Sequence, residues 1–247
     1  MVLTLNEASV LGACLASLAW ADGLLVVDSA STDGTLAIAA AAGARIHERA
    51  FDNFSRQRQA ALNLVETEWT LFVDADERVT GELAAEIRKV AGHGADTAGF
   101  WLPRRNFFWG HEIRGGGWWP DRQLRLLQTD RAEFDLARPV HEVANLDGPA
   151  GELESPLVHL NYDSWSEFRT KQARYARLEA GRRAGSGRTA RRAGYVTVPA
   201  REFWRRFVRL GGWRDGPTGL GLALHMAWFE GVTHAETRRL QVLAADR

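Results

Sequence analysis

The sequence contains one cysteine, Cys14, among its 247 residues. A single thiol excludes an intrachain disulfide and a zinc site built from cysteines, and it makes a reducing compartment the simplest expectation. Because Cys14 stands among apolar residues of a predicted helix, we expect a buried side chain rather than a nucleophile. No apolar run approaches the roughly 20 residues that a membrane-spanning helix needs, and the first residues lack the basic and long apolar parts of a signal peptide. These absences predict a cytoplasmic protein.

The sequence has no net charge, because 31 basic residues balance 31 acidic ones, but its basic residues are unevenly placed. Between Arg169 and Arg214 there are fourteen Lys or Arg residues and two acidic residues, Glu179 and Glu202. Such a block predicts a polyanionic partner, such as phosphate groups, anionic lipid or nucleic acid. A solvated helix face is the alternative interpretation.

Residues 1–90 alternate between short apolar runs and stretches with helical periodicity. Strands are predicted at residues 2–5, 24–27, 45–47 and 69–73, and helices at 7–18, 35–42, 56–65 and 82–90. This alternation predicts an α/β fold with a Rossmann-like, mostly parallel sheet that carries helices on both faces.

The pattern changes after residue 98 to shorter strands, at residues 98–104, 123–127 and 157–159, with aromatic and glycine-rich loops between them. A basic amphipathic helix is predicted at 165–183, a flexible joint at 184–194, and further helices at 202–210 and 220–243. We therefore expect a catalytic domain over residues 1–163 and a basic helical region over residues 164–247.

Polar residues follow three of the predicted strands: Asn6 and Glu7, then Asp28, then Asp74 and Asp76. In a parallel sheet these strand ends meet at one edge, where open α/β sheets bind their ligands. Alternate carboxylates such as Asp74 and Asp76 can hold one hard divalent cation and leave positions open for diphosphate oxygens. A solvated turn is the alternative.

Three segments carry a family resemblance: residues 4–7 (TLNE), 26–35 (VVDSASTDGT) and 72–77 (FVDADE). In this order and spacing they resemble the signatures of the family 2 glycosyltransferases, which have the GT-A fold, a nucleotide-binding α/β domain. Looser matches follow at residues 119–125 (WPDRQLR), 140–142 (VHE) and 210–217 (LGGWRDGP). The resemblance covers nearly the whole chain and is similar to the lipopolysaccharide core glucosyltransferase branch.

For the nucleotide, the resemblance implies that Thr4, Leu5 and Glu7 line the pocket for the base and the ribose. Asp28 would hydrogen-bond the uracil-like edge of the base. Arg58 would contact the base or the diphosphate, with a surface arginine as the alternative.

For the metal, the resemblance implies Mn²⁺ or Mg²⁺ with Asp76 as the principal ligand. Asp74 would contact either the ribose or the metal. His159, at the end of an apolar run, would complete the site because imidazole is a plausible manganese ligand, and His141 is its rival.

For the transfer step, an inverting mechanism needs a carboxylate that takes the proton of the acceptor hydroxyl. Glu142 is the predicted base and Asp121 its competitor, while Asp121 and Arg125 could also hold the acceptor. Gly116 and Trp118 lie in a segment that resembles the mobile loop over the donor. The alternative there is a turn followed by core tryptophans.

In the basic region, Phe203, Trp204, Phe207 and Leu210 share one predicted helix face among arginines. This arrangement predicts a peripheral helix on the anionic inner face of the cytoplasmic membrane, with packing onto the catalytic domain as the alternative. The predicted function is hexose transfer from a nucleotide-sugar, expected to be a UDP-sugar, to a glycolipid or oligosaccharide acceptor that is lipid-linked or a lipopolysaccharide core. A nucleotidyltransferase of related fold and a non-enzymatic module that binds an anionic membrane or nucleic acid are the alternatives. No nucleic-acid partner is expected, because no nucleic-acid-binding motif is present.

Overall fold

The computed structural model describes residues 1–92, 96–136, 143–186 and 189–245. The chain forms two compact units. The first consists of Met1–Arg104 and Asp121–His159, and the second of Arg105–Pro120 and Leu160–Arg247. The predicted boundary at residue 163 divides the chain once. The two compact units divide it differently, because residues 105–120 belong with the C-terminal part.

The first part of the chain alternates strands and helices as predicted. Its elements are β1 (Val2–Thr4), α1 (Ala8–Ser17), β2 (Leu25–Asp28), α2 (Thr35–Ala41), β3 (Arg45–Glu48), α3 (Phe54–Leu62), β4 (Trp69–Leu71), β5 (Val73–Asp74), β6 (Glu77–Val79) and α4 (Gly81–Ala91). Helices α3 and α4 begin at side-chain caps, because Asn53 accepts a hydrogen bond from the backbone of Arg56 and Thr80 accepts one from Leu83.

Strands β3, β2, β1 and β5 form a parallel sheet in that order. Thr4 pairs with Asp28, and Leu3 pairs with Asp74, so the carboxyl ends of β1, β2 and β5 lie side by side. The predicted convergence of these three strand ends is confirmed. So is the fold class, an α/β domain followed by a helical region.

The middle of the chain adds strands β7 (Gly99–Phe108), β8 (His111–Ile113), β9 (Asp121–Gln128), β10 (Ala132–Phe134), β11 (Ala144–Leu146), β12 (Ala150–Glu152) and β13 (Leu157–Tyr162). A second, mainly antiparallel sheet has the order β4-β9-β7-β13-β6. The single strand predicted at residues 69–73 is divided at Phe72 between the two sheets. Its first part, β4, pairs with β9, and its last part, β5, pairs with β1.

The core of the first unit fills the space between the parallel sheet and its helices. Leu11, Leu15 and Leu83 contribute fully buried side chains from α1 and α4, and Val26 contributes one from β2. Cys14 is equally buried among them, as predicted for a packing residue.

The second unit is helical apart from strand segments of residues 105–120 and 160–162. It contains α5 (Trp165–Ala184), α6 (Gly194–Trp204), a π-helical turn (Arg205–Arg209), a 3₁₀ turn (Gly212–Asp215) and α7 (Gly216–Ala245). Helix α6 therefore begins well before the predicted start at residue 202. An aromatic cluster around Phe108, Tyr162 and Phe168 forms its core. Across the described ranges, no helix is both long and apolar enough to cross a bilayer.

Candidate active site

Asp28, at the end of β2, is completely buried. Its carboxylate accepts hydrogen bonds from the Thr4 hydroxyl (2.8 Å), the Ser31 backbone N–H (2.7 Å) and the Ser31 hydroxyl (2.6 Å). These three donors tie the end of β1 to the turn after β2. The structure thus places the Asp28 side chain in the interior behind these segments, where its hydrogen bonds fix the conformation of the turn after β2.

The turns after β1 and β2 are further joined by reciprocal hydrogen bonds. The Asn6 N–H donates to the Ser31 hydroxyl, and the Asn6 side-chain oxygen accepts from the Thr32 N–H, each at 2.8 Å. The Glu7 N–H donates to the Thr35 hydroxyl at 2.8 Å. Asn6 has a φ of 57°, an uncommon left-handed conformation for a side-chain-bearing residue. This turn leaves Leu5 exposed at the edge of the sheet.

Asp74, at the end of β5, faces two guanidinium groups. Arg58 on α3 donates to its Oδ1 at 3.3 Å, and Arg125 on β9 donates to both carboxylate oxygens. Burial alone would raise the pKa of Asp74, but the positive charges of Arg125 and Arg58 outweigh it and hold that pKa well below the usual range. Asp74 therefore stays ionised, with its charge directed towards the two arginines.

Glu77 is a fully buried carboxylate below Asp74. It accepts hydrogen bonds from the Asp74 backbone N–H (2.9 Å), from Arg104 (3.1 Å) and from Arg125 (3.2 Å). Neither Glu77 nor Arg104 was assigned a role from the sequence. Glu77 directly follows the Asp-Ala-Asp turn, and that position was the available signal for it.

Asp121, at the start of β9, is also held by Arg104. The Nε and Nη2 atoms of Arg104 donate to one of its carboxylate oxygens at 2.8 and 2.6 Å, and Gln123 donates to the other at 2.8 Å. Both proposed acceptor residues, Asp121 and Arg125, thus belong to one network of ion pairs.

Asp76 and His159 are the two predicted metal ligands that the structure brings together. His159 lies on β13, which pairs with β6, and its Nε2 is 3.3 Å from an Asp76 carboxylate oxygen. The Asp76 side chain is partly exposed. Asp74, the third predicted ligand, is engaged by its arginines instead.

The donor set at Asp76 and His159 suits a divalent cation that keeps open positions. One carboxylate oxygen and one imidazole nitrogen are acceptable ligands for Mn²⁺ or Mg²⁺, which commonly take their remaining ligands from substrate phosphates and water. Within the described ranges no group of three or more His, Cys, Asp or Glu side chains could hold a metal.

A cavity of about 150 Å³ adjoins the ion pairs that Asp74 forms with Arg58 and Arg125. Its lining includes Arg58, Asp74 and Arg125 and the two aromatic residues Trp101 and Phe134. A larger cavity, of about 590 Å³, opens at the opposite edge of the parallel sheet, where the strands begin, and contains none of the predicted site residues.

No role was predicted for two exposed aromatic residues of the first unit, Phe51 and Phe54. Phe51 and Phe54 follow β3 at the same carboxyl edge, with their ring centroids 5.0 Å apart. The sequence pattern showed no feature that separates them from core aromatics.

The remaining predicted residues lie elsewhere. Gly116 and Trp118 belong to the second unit, where Arg206 donates to the Gly116 carbonyl at 2.9 Å and Trp118 packs on Phe108. Glu142 and His141 lie outside the described residues.

Comparisons with known proteins agree with this arrangement. The sequence profile described as Glycosyl transferase family 2 matches residues 1–138. The chain is 29% identical over 250 residues to the lipopolysaccharide core biosynthesis glycosyltransferase LpsC of Rhizobium meliloti (strain 1021), covering 99% of this chain and 93% of LpsC. An uncharacterized glycosyltransferase of Rickettsia felis is 36% identical over 97 residues, covering 38% of this chain and 34% of that protein.

Among solved structures, S. aureus TarS 1–349 in complex with UDP-GlcNAc matches with a TM-score of 0.50 and 16% identity, over 99% of this chain and 90% of TarS. At this identity the likeness concerns the fold, and it confirms the predicted GT-A architecture. The family profile favours the transferase interpretation over a nucleotidyltransferase or a non-enzymatic binding module. Because that profile spans more than half of the chain, the protein belongs to glycosyl transferase family 2.

Proposed function

We propose that the protein transfers a hexose from a UDP-sugar to a lipid-linked or lipopolysaccharide-core acceptor, with inversion at the anomeric carbon. The proposal rests mainly on the meeting of three polar strand ends at the carboxyl edge of the parallel sheet. Ligands of open α/β sheets bind at such an edge. The description of LpsC as a lipopolysaccharide core glycosyltransferase supports the acceptor class, and the UDP-GlcNAc complex of TarS agrees with the donor class.

The nucleotide would lie against the joined turns after β1 and β2. Leu5 offers an exposed apolar surface for the base, and Thr4 and Glu7 shape the wall beside it. Asp28 would act indirectly, because its buried carboxylate accepts the hydrogen bonds that hold Thr4 and Ser31 in place. Specificity for the base would thus depend on a turn whose geometry Asp28 maintains.

The diphosphate would lie near Asp76, with a divalent cation held by Asp76 and His159. Such a cation would neutralise the negative charge that develops on the departing nucleoside diphosphate. Asp74, ionised between Arg58 and Arg125, presents a fixed carboxylate beside this position, suited to a ribose hydroxyl.

In the transfer step, the acceptor oxygen bonds to the anomeric carbon while the bond from that carbon to the diphosphate oxygen breaks. A carboxylate takes the proton of the acceptor hydroxyl. We assign this role to Glu142. Asp121 is less suited, because both of its carboxylate oxygens already accept hydrogen bonds, one from Arg104 and the other from Gln123.

The proposal is tested by thermal unfolding with UDP, ADP, dTDP and GDP, each with and without Mn²⁺. A ligand that binds only the native state raises its stability, so UDP with Mn²⁺ should raise the melting temperature most. Asp76→Asn should remove the effect of Mn²⁺, whereas Asp22→Asn, at an exposed position at the opposite edge of the sheet, should retain it. No response to any nucleotide would overturn the proposal.

The role of Glu142 is tested separately by Glu142→Gln. This variant should lose transfer activity and keep the stabilisation by UDP and Mn²⁺, because the amide cannot accept the hydroxyl proton. Loss of both properties would make Glu142 a structural residue, and retained transfer would return the role to Asp121.

A further inference from the structure

Helix α7 carries an exposed apolar stripe in the second unit. Leu220, Leu224, Trp228 and Val232 are all exposed, and their spacing of four residues places them on one helix face. Trp228 is 69% exposed although tryptophan is a residue that soluble proteins usually cover. Residues 216–229 contain no Asp, Glu, Lys or Arg, so the first half of this helix lacks the charges typical of a solvated face.

A second exposed stripe runs along α6 and the π-helical turn that continues it. Val196, Ala200, Trp204 and Val208 are again four residues apart, and Trp204 is 63% exposed. Helices α6 and α7 pack against each other, since a Cβ on Gly231 would touch Pro199 at 3.6 Å. We call the two stripes together the α6–α7 surface.

The structure divides the helix face that the sequence predicted from Phe203, Trp204, Phe207 and Leu210 into covered and exposed residues. Phe203 and Phe207 stack on each other, with ring centroids 5.4 Å apart, and are only partly exposed. Trp204 and Leu210 of the predicted face are exposed, and so is Val208, which was not part of the prediction. The contribution of α7 had no counterpart in the prediction, because its uncharged sequence is equally typical of a buried helix.

Several exposed arginines beside the α6–α7 surface have no ion-pair partner among the described residues. In the part of the chain that the structure describes, no carboxylate lies within ion-pair distance of the exposed Arg201, Arg209 or Arg214. The nearby carboxylates are occupied: Glu202 by Arg205 and Arg206, and Asp215 by the N–H groups of Arg114 and Gly115. The surface therefore combines apolar side chains with exposed guanidinium groups that form no ion pair among the described residues.

We propose that the α6–α7 surface docks on an anionic lipid bilayer and holds the enzyme in the membrane interface. This inference deepens the proposed function and rests on it for the lipid-linked acceptor. Interfacial helices bury an apolar face at the boundary of the acyl chains while their basic residues meet anionic headgroups, and tryptophan prefers the headgroup level. A second copy of the chain fits less well, since the exposed arginines of both copies would then be brought together.

The test is co-sedimentation of the full chain with vesicles of phosphatidylcholine, or of phosphatidylcholine mixed equally with phosphatidylglycerol. We expect binding to the mixed vesicles, a blue shift of tryptophan fluorescence, and weaker binding in high salt, because salt screens attraction to anionic headgroups. The double variant Leu224→Ser/Trp228→Ser should bind these vesicles about tenfold or more weakly, since it removes two inserted apolar side chains.

The matched control is Tyr175→Ser/Leu178→Ser on α5. These residues are 55% and 57% exposed and repeat the pairing of an aromatic residue with leucine on another face of the unit. The control should bind mixed vesicles like the original chain. Equal loss in both variants, equal binding by the Leu224/Trp228 variant, or no binding by the original chain would overturn the inference.

Two further measurements separate the alternatives. If analytical ultracentrifugation shows a dimer that Leu224→Ser/Trp228→Ser converts to a monomer, without vesicle binding by either, the surface joins two copies and the inference is overturned. Stabilisation by UDP with Mn²⁺ should be the same in all these variants without vesicles. Failure of vesicle binding alone therefore rejects the role of the α6–α7 surface in membrane docking. Failure of the response to UDP and Mn²⁺ rejects the proposed function.

Discussion

At the residue scale, the candidate site is dominated by ion pairs that hold one another in place. Three guanidinium groups and three carboxylates form one network in the first unit, namely Arg58, Arg104, Arg125, Asp74, Glu77 and Asp121. Glu77 is the central member, because it contacts two of the arginines and the backbone of Asp74. We regard Glu77 as a positioning residue that fixes the position and orientation of Asp74.

Glu77→Gln should therefore destabilise the fold. The amide keeps the shape but removes the buried negative charge that Arg104 and Arg125 require, and breaking a buried ion pair costs about 3 kcal/mol or more. Urea unfolding measures this loss. The control is Glu66→Gln, whose side chain is 90% exposed and 3.8 Å from Arg45, where the expected change is below about 0.5 kcal/mol. Similar losses in both variants would contradict the role of Glu77.

Cys14 provides a second prediction at this scale. Burial raises the pKa of its thiol to about 12, whereas the thiol of an unfolded chain has a pKa of about 8.5. The native protein should thus resist thiol-specific reagents at neutral pH and react only after unfolding. Because the pKa of this thiol is higher in the folded than in the unfolded chain, the protonated thiol contributes fully to stability below about pH 8.5. That contribution declines as the pH rises from there towards the pKa of the folded state. Rapid labelling of the native protein would contradict this prediction.

At the element scale, glycines determine how closely the C-terminal helices and turns approach. A Cβ on Gly219, in the first turn of α7, would lie 1.9 Å from the carbonyl oxygen of Gly212. A Cβ on Gly115 would lie 2.2 Å from the carbonyl oxygen of Gly211. Both contacts are with backbone, which cannot rotate away, so only glycine permits this packing of the residue 115 segment, the 3₁₀ turn and α7.

Gly219→Ala should consequently destabilise the second unit by about 2 kcal/mol or more, because the added methyl group forces a backbone shift. Gly181→Ala is the matched substitution, since a Cβ at Gly181 in α5 meets nothing within 4 Å. There alanine should stabilise the helix by about 0.8 kcal/mol. Thermal unfolding followed by circular dichroism measures both changes, and the opposite signs are the expected result. A loss in both variants would point to a general intolerance of alanine.

At the scale of the whole molecule, the chain enters the second unit twice. Residues 105–120 leave the first unit, join the second, and return at Asp121. Phe108 and Ile113 from this excursion pack with Phe168 and Leu222 from the C-terminal helices. The carboxylate of Asp215 accepts hydrogen bonds from the N–H groups of Arg114 and Gly115, each at 2.8 Å.

A chain that ends at residue 163 should therefore expose the apolar side chains of residues 105–120. We expect it to aggregate, or to bind a hydrophobic dye in excess of the full-length chain, because large exposed apolar patches promote association. The control replaces residues 105–120 of the shortened chain by a short glycine and serine turn, which should reduce dye binding. A monomeric 1–163 chain that unfolds cooperatively without dye binding would contradict this expectation.

Sequence periodicity was enough to identify the parallel sheet and the edge at which its polar strand ends meet. Successive strands and helices in residues 1–90 are close in the chain, and parallel crossovers have a strongly preferred hand. The order of the strands in this sheet was not predicted from the sequence, and the structure shows it to be β3-β2-β1-β5. Of the helix face predicted from Phe203, Trp204, Phe207 and Leu210, only Trp204 and Leu210 are exposed, because periodicity alone does not reveal which side a neighbouring helix covers.

The sequence by itself determined the α/β class, the meeting of polar strand ends at one edge of the parallel sheet, the family signatures and the burial of Cys14. Only the tertiary structure decided that Asp28 is buried, that Arg125 pairs with Asp74 across 51 residues of chain, and that β4 and β5 enter different sheets. The spacing of apolar residues along a helix or a strand shows which of its faces is apolar, because that spacing involves only residues close together in the chain. The partners of a buried charge are set by packing between distant segments, and these become definite only when the whole chain has folded.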